Sequence, residues 1–228
     1  MDNQQGGVLM KVRDLLISGK FGDGYLVDNK NRIKKTAYIG YTSKNLDYIQ
    51  YKRDFLMSNT NYYLSKIGTC NSGYKKGNFS YIFRTGCYEN IYKCKKMSIE
   101  TALNYLTKDS LILFYLDDGT YHQKKHFSHI YCNTFSKNSC DILINKIYEL
   151  YPIKKCIIAQ DKKSDGRSYP YIRLNTFTTK EFIKDVEEFL LKNEIFSLMY
   201  KVGKNLPSTT IESTILRAED IKIRKRVE

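Results

Sequence analysis

Two stretches of this chain are apolar on every side, and both run into an Asp-Gly pair. The first is Leu15-Leu16-Ile17-Ser18-Gly19-Lys20-Phe21-Gly22-Asp23-Gly24; the second is Leu111-Ile112-Leu113-Phe114-Tyr115-Leu116-Asp117-Asp118-Gly119. Each predicts a buried helix, with Gly24 and Gly119 ending it in a left-handed conformation. Elsewhere the pattern is amphipathic. Residues 35–42 and 127–132 read as strands. Each is followed by a Ser-Lys-Asn start, at 43–45 and 136–138, suited to capping a helix. In the first of these helices Leu46, Ile49 and Leu56 recur at helical spacing; in the second Cys140, Leu143, Ile144, Ile147 and Leu150 do.

This order occurs twice. Ser43 follows Asp23 by 20 positions and Ser136 follows Asp118 by 18, which marks an internal repeat. The remainder of each repeat also corresponds. Strands over 62–70 and 79–85 flank a Gly-containing basic loop, and strands over 156–160 and 168–175 flank another. In the last of these, Tyr169, Tyr171, Arg173 and Asn175 alternate with Pro170, Ile172, Leu174 and Thr176, giving a polar aromatic face and an apolar one. A helix with Phe182, Ile183, Val186, Phe189 and Leu190 on one stripe follows. Each half therefore reads α-β-β-α-β-β-α. The expected class is α+β, a pseudo-twofold pair of such units, with boundaries at 8–98 and 99–205 and a basic tail over 206–228. Residues 88–107 read as helical without declaring their half, and the tail reads as a frayed end.

Composition narrows the partners. Thirty-eight Lys and Arg against 24 Asp and Glu leave a net charge of +14 on 228 residues, which favours a polyanion and above all nucleic acid. No apolar run reaches membrane-spanning length, and 1–7 lack the charged-then-apolar order of a signal peptide. A soluble intracellular protein is expected, in a bacterial or phage cytoplasm or an organelle matrix, with no membrane partner. None of the six cysteines forms a C-x-x-C pair, so free thiols are expected rather than a zinc knuckle. The twenty tyrosines suit either a core or contacts to bases and sugars.

An aspartate at a helix C-terminus gains nothing from the helix dipole. Two such ends brought together concentrate negative charge that a divalent cation readily offsets. Asp23 and Asp118 are thus candidate metal ligands, with Asp117 as the alternative to Asp118. Against this stands the plain reading of Asp-Gly as a turn, which the repeated context disfavours. His122, His126 and His129 cluster but lie in an extended segment with no obvious fourth ligand, so phosphate contact is preferred over zinc.

The paired Asp-Gly helices, 95 residues apart and each followed by β-β-α-β-β, resemble a single-chain LAGLIDADG homing endonuclease over roughly residues 10–205. The second motif is similar to the aromatic-rich form that ends in Asp-Asp-Gly. The resemblance implies two motif helices packed at a pseudo-twofold, with Ser18 and Gly22 as the small residues of the first helix and Leu113 and Asp117 departing from that pattern on the second. It implies a four-stranded, saddle-like antiparallel sheet in each half, seated over the DNA major groove. It also implies Mg²⁺ or Mn²⁺ at Asp23 and Asp118, with Ca²⁺ able to bind without supporting cleavage, and backbone carbonyls of Gly22 and Asp117 completing coordination. Lys201 and Lys95 match the family's basic residues near the scissile phosphates, with Lys96 as fallback for Lys95. The implied activity is a double-strand break in a long target, leaving short 3′ overhangs, made by a monomer encoded in a mobile intron or standing free. Expected DNA contacts are Tyr38, Tyr41, Lys75, Lys76, Arg84, Lys124, Lys125, His126, Lys162, Lys163, Arg167, Tyr171 and Arg173, with Arg84 and Arg173 best placed to read guanine. The competing readings are an RNA maturase acting on intron RNA or a non-catalytic nucleic-acid-binding protein on the same scaffold; a membrane-surface protein is a distant third.

Overall fold

A computed structural model describes residues 10–29, 34–71, 79–151, 156–162 and 168–204. The first half runs α1 (Val12–Phe21), β1 (Gly24–Asp28), β2 (Ala37–Ser43), α2 (Leu46–Asn59), β3 (Gly68–Asn71), β4 (Phe79–Arg84) and α3 (Glu89–Lys96). A short α4 (Ile99–Leu103) leads into the second half: α5 (Lys108–Asp118), β5 (Gly119–His122), β6 (Phe127–Tyr131), α6 (Lys137–Leu150), β7 (Cys156–Lys162), β8 (Ser168–Leu174) and α7 (Thr176–Lys192). A tight helical turn over Phe196–Val202 closes the described chain. The two antiparallel sheets have the same strand order, β1-β2-β4-β3 and β5-β6-β8-β7. The repeat expected from sequence is thus the architecture: two α-β-β-α-β-β-α units. The first strand expected over 62–70 is shorter, because before Gly68 the chain makes only an isolated bridge from Leu64 to Thr85. The basic tail lies outside the described residues. The helical stretch over 88–107 divides at Met97, where Ser98 accepts the Thr101 N–H and starts a new helix. The piece before it packs on β1, β2 and α1, and the piece after it packs on α6.

The motif helices sit at the centre. Ser110 to Leu116 are all buried in α5, and Asp14 to Gly19 in α1. Surfaces that are apolar all round find partners on every side only in the middle of the molecule. The two helices run parallel. At their starts the buried Asp14 accepts hydrogen bonds from the Lys11 N–H at 2.8 Å and the Thr107 hydroxyl at 2.9 Å, and Thr107 is the N-cap of α5. At their ends a Cβ placed on Gly22 would lie 2.6 Å from the Asp117 Cβ, so only glycine fits there. Joined at both ends, α1 and α5 must deliver Asp23 and Asp118 to the same side.

The glycines after the acids do not adopt the left-handed conformation. Gly203 alone among the described glycines has positive φ, and Gly119 is extended at φ −102°, ψ 162°. They are glycines for lack of room. A Cβ on Gly24 would sit 2.5 Å from the Gly19 carbonyl oxygen, and one on Gly119 would sit 2.5 Å from that of Tyr115. The strand after each helix folds straight back against the last turn.

In each sheet one face covers helices and the other is open. Ala37, Ile39 and Tyr41 point inward from β2, and Ile172 and Leu174 from β8. The six cysteines are free thiols, three of them buried. Among the described residues no helix is long and apolar enough to cross a membrane.

Candidate active site

Asp23 follows α1 in the turn to β1, and Asp118 is the last residue of α5. Asp23 reaches solvent, yet crowding by the two helix ends strips it of water. That loss, then the Asp117 charge, pushes its carboxyl up to about 6, against the pull of Lys52 and Lys201. Asp118 is pushed up to about 7, first by desolvation, then by the charges of Asp23 and Asp117. Both acids are therefore unfavourable as bare anions and await positive charge.

Lys201 supplies part of that charge. Its ammonium donates to the Gly119 carbonyl at 2.6 Å, and burial lowers its pKa against the opposing pull of Asp117, Asp118 and Asp23. Its position is set from the other half. The Ser197 N–H donates to the Asp47 carboxylate in the first turn of α2 at 2.8 Å, which pins the closing turn beside the acids. The Tyr115 hydroxyl donates to the Lys201 carbonyl at 2.8 Å. A groove of about 320 Å³ opens there, lined by Asp23, Asp117, Thr42, Tyr48, Tyr200 and Lys201 among others.

Lys95 is the positional counterpart of Lys201. Lys20, three residues before Asp23, donates to the Lys95 carbonyl at 3.0 Å, just as Tyr115, three before Asp118, donates to that of Lys201. Its ammonium goes elsewhere, 2.9 Å from Asp28 at the far end of β1, with the fallback Lys96 on the same carboxylate at 3.2 Å. Asp28 stands roughly 15 Å along an extended strand from Asp23, so the structure does not bring Lys95 to the acids.

Asp117 is also not an open ligand. Its side chain is fully buried, and one oxygen accepts from Lys52 at 2.8 Å and Tyr48 at 2.9 Å. The other lies 3.3 Å from the Asp23 N–H. Sequence reasoning passed over Lys52, a charged residue on the apolar stripe of α2. Comparison of the repeats could have found it, since Leu143 stands at the same place in α6.

The open sheet faces carry four of the described DNA candidates, Tyr38, Arg84, Tyr171 and Arg173. Tyr38 faces outward, its ring edge-on to Tyr25 at 6.2 Å. Tyr41 does not, and here the expectation is corrected: three residues from Tyr38 on a strand, it points to the opposite face. It is fully buried and donates its hydroxyl to the Leu15 carbonyl at 3.0 Å. Arg84 is exposed and donates from Nε to the Tyr25 hydroxyl at 2.8 Å; Arg173 is exposed, its guanidinium 4.1 Å from the Phe127 ring centre. Tyr171 packs on His129 at 4.2 Å between ring centres. Lys124, Lys125 and His126 are exposed on the turn between β5 and β6. Lys162 ends β7, but its side chain, and all of Lys75, Lys76, Lys163 and Arg167, lie outside the described residues. The histidines do not gather on one point: His122 and His129 meet at 3.3 Å, while His126 turns to Tyr121. Among the described residues no three His, Cys, Asp or Glu side chains form a ready metal cluster.

Known proteins share this fold. No curated protein matches the chain in sequence. Among solved structures, the homing endonuclease I-WcaI bound to its DNA recognition sequence is similar at 19% identity, covering 85% of this chain and 86% of that one, with a TM-score of 0.65. Mesophilic variants of the homing endonuclease I-DmoI are similar at 17% identity, over 76% and 93% of the two chains, with a TM-score of 0.51. I-DmoI in complex with DNA and Ca is similar at 14% identity, over 76% and 87%, also at 0.51. At such identities these likenesses establish the fold. The profile of the LAGLIDADG DNA endonuclease family matches residues 21–182. That span takes in both acids and both sheets, and the chain belongs to this family.

Proposed function

We propose that this chain is a site-specific DNA endonuclease that cuts both strands of a long duplex target with divalent ions at Asp23 and Asp118, leaving short 3′ overhangs. The observation that carries the reading is the convergence of two carboxylates, from sequence positions 95 apart, at the parallel ends of α1 and α5, where Asp118 feels the charge of Asp23 and both feel that of Asp117. Hard oxygen donors whose own pKa values are raised by desolvation and by neighbouring carboxylate charge fit a divalent cation. One of the similar structures is described as a complex with DNA and Ca, consistent with that fit.

Mg²⁺ or Mn²⁺ bound there would lower the pKa of an attacking water and stabilise the departing 3′ oxygen. The chain's own groups do the rest. Lys201, held by the Gly119 carbonyl, offsets charge on the phosphate as it becomes pentacoordinate. Two halves in one chain supply a site for each strand, so a monomer suffices. The net charge of +14 draws the duplex in, and exposed Lys124 and Lys125 suit phosphates. The test is to incubate purified chain and Mg²⁺ with a large random duplex library and sequence the ends. Discrete, staggered 3′ ends within one sequence motif are expected. Duplex or intron RNA bound without cutting would instead support the binding or maturase reading.

Base reading is proposed for Arg84 and Arg173. Strand register makes them equivalents. Tyr25 pairs with Gly40 and Gly40 with Arg84, while Thr120 pairs with His129 and His129 with Arg173. The target should then carry guanine at matching places in its two half-sites. Arg84→Ala should relax one of these positions and Arg173→Ala the other, each by about 1–3 kcal/mol in a competition assay against base-substituted duplexes. Uniform weakening across all sequences would mean phosphate contact instead.

The raised carboxyl pKa values also set a pH dependence. A pKa near 6 or 7 when folded, against about 3.9 unfolded, means that the folded chain holds these protons more tightly. The stability they contribute is present below about pH 4 and is lost as pH rises through 6 to 7. In chelator, the melting temperature of the parent should fall between pH 5 and 8 relative to Asp118→Asn. Ca²⁺ should restore it more at pH 8 than at pH 5. Parallel curves for parent and variant would contradict the crowding of the acids.

A further inference from the structure

The two halves bury the same positions of α2 and α6. Both helices have 14 residues, and both bury the third, fourth, seventh and eleventh: Tyr48, Ile49, Lys52 and Leu56 in one, Ser139, Cys140, Leu143 and Ile147 in the other. Lys52 thus stands where the other half has leucine. At the motif ends Asp117 stands where the other half has Gly22. These two exceptions to the pseudo-twofold meet each other. Lys52 Nζ lies 2.8 Å from Asp117 Oδ1, with side-chain exposures of 1% and 0%. Tyr48 donates to the same oxygen, and the Lys52 ammonium lies 4.1 Å from the centre of the Tyr48 ring and 4.9 Å from that of Tyr41.

A third carboxylate one residue from a metal ligand has a chemical consequence. Its second oxygen is 3.3 Å from the Asp23 N–H, close enough to the acids to compete for an ion and draw it inward, away from a phosphate. What prevents this is a neutralising ammonium that comes from the opposite half. Resting on the assignment of Asp23 and Asp118 as ion ligands, we propose that Lys52 is a positioning residue of the cleavage site. It binds Asp117 across the interface between the halves and leaves Asp23 and Asp118 as the carboxylates open to divalent ions.

The test is a titration of the full chain with Tb³⁺ alone, read by tyrosine-sensitised luminescence, with a melting curve for each variant. Asp118→Asn should weaken binding about tenfold, while Asp117→Asn should stay within about twofold of the parent. Lys52→Met releases Asp117 and should tighten binding by about fivefold or more, and Lys52→Met/Asp117→Asn should return it to the parental value. Equal weakening by Asp117→Asn and Asp118→Asn would make Asp117 a ligand and overturn the proposal. So would a Lys52→Met chain that melts earlier but binds Tb³⁺ as the parent does. If Lys52→Met does not fold, the comparison of the two Asn variants decides alone. Unchanged binding in Asp118→Asn would remove the metal assignment itself, and the role of Lys52 with it.

Discussion

Asp118→Asn should lower Mg²⁺-dependent cleavage of the target duplex by a factor on the order of 10³, equal to about 4 kcal/mol of transition-state stabilisation. The amide keeps the shape but loses the charge that makes the position a hard-cation ligand. Asp23→Asn should fall by a similar factor, because the two acids stand at equivalent ends of parallel helices. Affinity for the duplex, measured by gel shift in Ca²⁺, should change far less, since binding draws on the sheets and the basic surface rather than on two acids. Each variant should leave more nicked than linear product, as the proposed assignment of one acid to each strand requires. Two Asn variants that cut like the parent would end the assignment of Asp23 and Asp118 as the metal ligands.

The second large effect is on stability. Lys52→Ala leaves the Asp117 charge buried with only Tyr48 and the Asp23 N–H to solvate it. Breaking a buried pair by removing one partner costs about 3–5 kcal/mol, against a total of about 5–15 for an ordinary domain. For a chain of this size that is a fall of roughly 6–20 °C in melting temperature. Removing both charges should recover most of the loss, so Lys52→Met/Asp117→Asn should melt well above Lys52→Ala. Lys93→Ala, which removes one end of an exposed pair with Glu89, is the control and should shift little. If Lys52→Ala melts no earlier than this control, the buried pair does not hold the halves together.

Much of this molecule was legible before any coordinates. The two largely apolar helices had to be central, and the near-equal spacing from each Asp to its Ser-Lys-Asn start, 20 and 18 positions, revealed the repeat. The acids were legible because both sit at that repeated place. Other positions were hidden by tertiary contact. No periodicity says that Gly24 and Gly119 are crowded rather than left-handed, since the crowding comes from Gly19 and Tyr115 one turn back. Lys95 and Lys201 occupy matching places, yet Asp28 on the adjacent strand captures one of them. Tyr41 was within reach of simple alternation, because it cannot share a face with Tyr38. Lys52 could have been read too, though only by laying one repeat over the other.

The meeting of Lys52 with Asp117 also makes the halves non-interchangeable. A homodimer of first halves would bury two lysines with no anion to receive them. A homodimer of second halves would press aspartate on aspartate across the axis. Either would lack the complement that the fused partner brings, so splitting this chain and pairing like with like should yield nothing that assembles, whereas mixing the unlike pieces retains every counter-charge.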